Sequence, residues 1–239
     1  MDLQDASHND PFTAVVVLSG GLDSTTLLAH YSALRFKLVA VTVDYGQRHS
    51  KEIDSARTVA RHYGTEHHVL EVAGFGTLLS GVALTDAEVT VPDGHFAEKA
   101  MRATVVPNRN AVLANLATSV AVSRRADLVA LGMHAGDHFV YPDCRPVFLD
   151  ALRQLVAVAN EGFTTPRIEA PFMTWSKADI ARHGVGLGAP LELSWSCYKG
   201  GSIHCGTCGT CYERREAFRE ADLLDPTEYV DSVTRFTAP

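Results

Sequence analysis

Two stretches of this chain carry residue types and spacings that can do chemistry. In the first, Ser19-Gly20-Gly21-Leu22-Asp23-Ser24-Thr25-Thr26, adjacent glycines let backbone amides approach an anion while Ser19, Ser24 and Thr25 add hydroxyl donors. The apolar run Val15 to Leu18 precedes it as a strand, and Leu27, Leu28 and Ala29 follow at helical positions. The glycines therefore sit where a helix begins, and the unpartnered first amides and the helix dipole there favour negative charge. The stretch is a phosphate cradle, but not the common mononucleotide loop, because no lysine follows the glycines. In the second stretch, Cys197-x7-Cys205-x2-Cys208-x2-Cys211, two short Cys-x-x-Cys steps let backbone turns wrap one ion, and Gly200, Gly201, Gly206 and Gly209 give those turns freedom. An iron–sulfur cluster and disulfides also use four cysteines. One structural Zn2+ per chain is the favoured reading, since four sulfurs leave no open coordination position.

These stretches need elements to hold them, and the rest of the chain supplies an alternating pattern of strands and helices. Strands are expected at Lys37–Val43, His68–Val72 and Leu128–Gly132, and helices at Ile53–Tyr63, Ala111–Ser123 and Val147–Asn160. Ser176-x-x-Asp179 resembles a capping box that starts a further helix. The span from Val82 to Pro107 is irregular and is expected to be a long loop with a short helical piece, of the kind that closes on substrate. Alternation of this kind predicts a doubly wound α/β fold, in which ligands bind beyond the carboxyl ends of the strands. Polar clusters follow the second and fourth strands at Asp44–His49 and Met133–His138, and a third, Pro107–Asn110, precedes the Ala-rich helix.

With 239 residues, 46% hydrophobic and 21% charged, the chain can bury one sizeable core with a small appendage. A net charge of −7 argues against a large nucleic-acid footprint and for small-molecule substrates. Met1 to Pro11 is polar and acidic, and no apolar run approaches the ~18 residues of a membrane span, so a cytoplasmic protein with no membrane partner is expected. Cys144 stands apart from the four clustered cysteines, between Pro142 and Pro146, and a packing or substrate-contact role is favoured over a nucleophilic one.

Ser-Gly-Gly-Leu-Asp-Ser resembles the pyrophosphate-binding loop of the ATP pyrophosphatases, which cleave ATP between its α and β phosphates. Five further motifs narrow this: Val-Asp-Tyr-Gly-Gln-Arg-His (43–49), Val-Pro-Asn-Arg-Asn (106–110), Gly-Asp-His-x-x-Tyr-Pro-Asp-Cys-Arg-Pro (136–146), Trp-Ser-Lys-Ala-Asp-Ile (175–180) and Trp-Ser-Cys-Tyr-Lys-Gly-Gly (195–201). Together with the cysteines they resemble the 7-cyano-7-deazaguanine synthase family of the queuosine pathway, from about Thr13 to Tyr229. One departure is His134 with His138 and Phe139, where many members carry Asn, Tyr and Ser.

The resemblance implies a Rossmann-like parallel sheet of the adenine nucleotide alpha hydrolase type over residues 12–190 and a zinc-binding helical segment over 191–239. It implies conversion of 7-carboxy-7-deazaguanine, ammonia and ATP to the 7-cyano base through adenylated carboxylate and amide, with Mg2+ on the polyphosphate. Leu18, Ser19, Gly20, Gly21, Leu22, Asp23, Ser24, Thr25, Thr26, Leu27 and Leu28 are assigned to the nucleotide. Asp23, Lys177 and Arg109 are assigned to catalysis, with Asp23 also a magnesium contact. Gln47, Asn108, Asp137, Asp143 and Arg145 are assigned to the substrate. A homodimer is compatible with the pattern. Two readings compete: a tRNA thiolation enzyme, which would need a sulfur-carrying cysteine and a basic surface, and a zinc-ribbon binding module with an inactive nucleotide fold.

Overall fold

The computed structural model describes residues 11–72, 74–94 and 101–230. A five-stranded, wholly parallel sheet forms its centre, in the order β3-β2-β1-β4-β5. Its strands are β1 (Thr13–Val17), β2 (Lys37–Asp44), β3 (Glu66–Glu71), β4 (Leu128–Ala130) and β5 (Arg167–Glu169). The helices are α1 (Leu22–Ala33), α2 (Lys51–His62), a single turn α3 (Gly74–Thr77), α4 (Arg109–Arg124), α5 (Pro146–Ala159), α6 (Lys177–Gly186) and α7 (Gly209–Glu220).

Both faces of β1 are buried, which is why its sequence is a continuous apolar run. Val16 faces a core with Leu27, Leu28, Phe172 and Ile180, while Val15 faces the opposite core with Val39, Ala117, Val129 and Leu152. Ala114, Ala117 and Ala121 are fully buried, so α4 lies close on the sheet because these side chains are small. The expected strands and helices are present with boundaries moved by a few residues, the third strand beginning at Glu66. β5 was not anticipated: it is three residues long, and Arg-Ile-Glu offers one buried side chain between two charged ones. The Val82–Pro107 span contains turns and a short 3-10 piece at Arg102–Thr104. Its residues 95–100 lie outside the described part. Among the described residues no helix is long and apolar enough to cross a membrane.

Successive strands step outward from β1 to β3, and the chain then returns to place β4 on the other side of β1. The strand order reverses between β1 and β4, so the loops leaving them diverge and open a crevice. That crevice holds the candidate site.

Candidate active site

The floor of the crevice is the loop from Ser19 to Ser24. Gly20 has φ +88°, and a Cβ there would lie 2.2 Å from the Glu52 carbonyl oxygen, so no side chain fits. Its carbonyl accepts from Ser55 Oγ (3.0 Å) and from the Trp195 amide (2.8 Å), which holds the loop from behind. Ser24 is engaged within the loop, its Oγ accepting from the Gly20 amide at 3.1 Å and meeting Ser19 Oγ at 3.1 Å. Leu18, Ser19, Gly21, Leu22, Asp23 and Ser24 line the cleft. Thr25, Thr26, Leu27 and Leu28 are fully buried behind it on α1, and the Thr25 and Thr26 hydroxyls have no hydrogen-bond partner among the described residues.

Above the loop sits a dense charge cluster. Lys177 is the first residue of α6, whose capping box is formed: Ser176 Oγ accepts from the Asp179 amide and Asp179 Oδ2 accepts from the Ser176 amide. Its Nζ lies 3.0 Å from Asp23 Oδ2 and 3.0 Å from Glu213 Oε2. Burial alone would raise the Asp23 carboxyl, but the Lys177 ammonium and His134 outweigh it and hold it below the usual carboxylate range. Burial likewise disfavours charge on Lys177, and Asp23 and Glu213 more than offset this, so the amine stays protonated well above its ordinary value. For Glu213 burial prevails over Lys177 and the carboxyl is raised. Asp23 Oδ1 is buried with no hydrogen-bond partner among the described residues. His134, Asp137 and Glu213 also present ligand atoms within 4.8 Å of one another.

The far end of the cleft is aromatic. Tyr45 follows β2, Tyr141 follows the fourth-strand loop, and Tyr198 comes from the cysteine segment. All three surround Arg109, whose guanidinium carbon is 5.7 Å from the Tyr141 ring centroid. Thr104 Oγ1 is 2.9 Å from the Tyr141 hydroxyl, and His49 packs on Tyr198 with centroids 5.0 Å apart. Cys144 lines this end too, receiving Asn110 Nδ2 at 3.1 Å. Burial, with Asp137 nearby, pushes its thiol well up, so it is neutral.

Of the residues assigned to substrate, Asp137 lines the cleft and four do not. Gln47 is buried inside the turn after β2, accepting from the Tyr45 amide and donating to Glu52 Oε1. Asn108 is exposed in the left-handed region before α4. Asp143 accepts from the Asn110 amide at 3.0 Å, and Arg145 Nε donates to the His138 carbonyl at 2.7 Å, so both tie loops together around the cleft. Sequence reasoning did not assign Tyr45, Tyr141, Tyr198, Trp195 or Glu213. The available signal was weak: Tyr45 follows the apolar run of β2, and the other four carry no local pattern that marks them.

The four cysteines come together beside this cleft. Cys197, Cys205, Cys208 and Cys211 have sulfurs within 4.8 Å of one another, none in a disulfide. Cys205 Sγ accepts from the amides of Thr207 (3.4 Å) and Cys208 (3.3 Å), as a ligating sulfur does. These residues could hold a metal ion. His204 Nε2 is taken by the Ser196 amide, and its ring lies against Trp195, so that nitrogen is already engaged. Arg214, fully buried, donates to Ser194 Oγ, Ser196 Oγ and the Leu191 carbonyl, and pairs with Asp225. Through it the cysteine segment is fastened under the cleft wall.

The chain is similar to the following known proteins. A family model described as "Queuosine biosynthesis protein QueC" matches residues 13–222. A protein named 7-cyano-7-deazaguanine synthase from Allorhizobium ampelinum is 51% identical over 217 residues, covering 91% of this chain and 92% of that protein. Another of the same name from Rhizobium etli is 52% identical over 218 residues, covering 91% and 92%. Among solved structures, the U34-tRNA thiolase NcsA from Methanococcus maripaludis matches with a TM-score of 0.47 and 14% identity, over 94% of this chain and 76% of that one.

Proposed function

The chain belongs to the QueC family of queuosine biosynthesis proteins, and we propose that it converts 7-carboxy-7-deazaguanine and ammonia, at the expense of ATP, to 7-cyano-7-deazaguanine in the cytoplasm. The observation that carries the reading is the continuity of one cleft from the glycine loop and Lys177 at one end to Arg109 and three tyrosines at the other. The first end suits a polyphosphate and the second a flat heteroaromatic carboxylate.

A carboxylate resists ammonia because its leaving group would be oxide. Attack of a carboxylate oxygen on the α-phosphorus of ATP displaces pyrophosphate and makes that oxygen part of an AMP leaving group. Ammonia then adds to the carbonyl carbon and expels AMP, leaving a primary amide. The amide oxygen takes a second AMP from another ATP. Loss of that AMP with both N–H protons gives the nitrile, so two ATP yield two AMP and two pyrophosphates, or the hydrolysis product of the latter. No protein nucleophile is needed, in keeping with a protonated, buried Cys144. Lys177 and the loop amides stabilise the leaving pyrophosphate, and Arg109 orients the carboxylate. Asp23, with a buried oxygen that has no hydrogen-bond partner among the described residues, fits a magnesium ion, which would supply charge neutralisation on the polyphosphate. The donor set of four sulfurs fits a structural zinc ion.

Mass spectrometry of a reaction with ATP, ammonium and 7-carboxy-7-deazaguanine tests the function: the nitrile and AMP are expected. Sulfur transfer to tRNA in place of the nitrile would overturn it. Stripping the metal with a strong chelator should lower the melting temperature, and an unchanged melting curve in a metal-free sample would overturn the structural zinc.

A further inference from the structure

Lys177 lies among three carboxylates and a histidine, and the hydrogen-bond directions show which of them hold it. His134 Nδ1 accepts from the Gly136 amide at 3.1 Å, so the ring carries its N–H on Nε2. That N–H faces Asp137 Oδ2 at 3.4 Å and Asp23 Oδ2 at 3.7 Å. Its 3.4 Å approach to Lys177 Nζ is therefore between two donors and anchors nothing. Among the described residues the lysine is held by Asp23 and Glu213, each at 3.0 Å.

These two anchors are unequal. Asp23 belongs to the glycine loop, and its other oxygen is buried without a hydrogen-bond partner among the described residues, a lone pair that a cation would satisfy. Once a divalent cation draws on that carboxylate, its hold on Lys177 weakens, while a lysine side chain is long and has several rotatable bonds to lose. Glu213 sits in α7, two residues beyond Cys211, with a side chain 12% exposed. It reaches the lysine from a helix that has Cys208 at its N-cap and Cys211 in its first turn. We propose that Glu213 is a positioning residue that keeps the Lys177 ammonium over the phosphate loop when Asp23 is engaged by the cation. The cysteine segment thereby sets part of the phosphate-binding geometry. The inference rests on the ATP-dependent reading above.

Calorimetric titration of magnesium pyrophosphate into the metal-loaded full chain tests it. Removal of a negative charge near an anion site would by Coulomb's law tighten pyrophosphate binding. Loss of positioning predicts the reverse: Glu213→Gln should bind about five- to tenfold more weakly, with unchanged metal content and melting temperature. Glu213→Asp, which keeps the charge, should recover part of the loss. In turnover, Glu213→Gln should lower kcat for pyrophosphate release and leave KM for the carboxylate substrate unchanged. Equal or tighter binding by Glu213→Gln overturns the proposal, as does weaker binding that accompanies lost metal or a lowered melting temperature. A wild-type chain that binds no pyrophosphate overturns the ATP reading and this inference together, whereas normal wild-type binding with an indifferent Glu213→Gln overturns this inference only.

Discussion

The two ends of the cleft are built in opposite ways. The loop end is built around one short piece of chain, Ser19 to Ser24, whose conformation follows from a strand, a glycine at φ +88° and a helix start, and to which α6 brings Lys177. The aromatic end is assembled from Tyr45, Arg109, Tyr141 and Tyr198, which come from four separate segments. A local site survives as long as its own backbone is held, whereas an assembled site depends on every segment that reaches it. The cysteine segment connects the two, since Trp195 supports the Gly20 carbonyl, Glu213 meets Lys177, and Tyr198 lies beside Arg109.

The sharpest test of the local end is Asp23→Ala. It removes a partner of Lys177 and a candidate magnesium contact, and substrate-dependent pyrophosphate release should fall by about a thousandfold or more with the fold intact. Normal turnover would remove Asp23 from the phosphate machinery. The assembled end should fail through its scaffold instead. Arg214→Met leaves Asp225, Ser194 Oγ and the Leu191 carbonyl without their buried donor and should cost about 3–5 kcal/mol in denaturant unfolding. A cost near zero would mean that the segment is held by other contacts. Arg109→Met should act on substrate alone, raising KM for the carboxylate about ten- to a hundredfold while pyrophosphate affinity stays near wild type. Equal losses in both would show that the two ends are not separable.

The smallest effect lies outside the cleft. His30 Nδ1 and His183 Nε2 are 3.0 Å apart between α1 and α6, and burial, joined for His30 by the neighbouring His183, lowers both pKa values. Below about pH 6.5 the unfolded chain takes up protons on these rings that the folded chain resists, so stability is full above that pH and declines as pH falls toward the folded values. Melting temperatures between pH 7 and pH 5 should drop by about a few degrees, and less in His183→Gln. A parallel decline in His183→Gln would assign the effect to other groups.

The comparison also explains what could be read without coordinates. The loop at Ser19–Ser24, the strands β1 and β2, the Ser176–Asp179 capping box and the cysteine spacing are all short-range patterns, so sterics and hydrogen bonding among near neighbours express them directly. β5 went unseen because three residues at a sheet margin carry too little periodicity. Asp143 and Arg145 read as ligand residues by type, while the structure engages Asp143 Oδ2 with a helix amide and Arg145 Nε with a loop carbonyl, partners that type alone does not predict. Residue type states what a side chain can bind and not which of several partners is nearest.

The sequence by itself determined that this chain folds as a parallel α/β protein with a glycine loop between its first strand and first helix and four closely spaced cysteines toward its end. Only the tertiary structure decided that the cysteine-bearing segment meets the loop through Trp195, with Glu213 on Lys177 and Tyr198 beside Arg109. The physical reason is that strand order, set by burial of both sheet faces, brings residues nearly two hundred positions apart to one crevice, and no local pattern encodes that meeting.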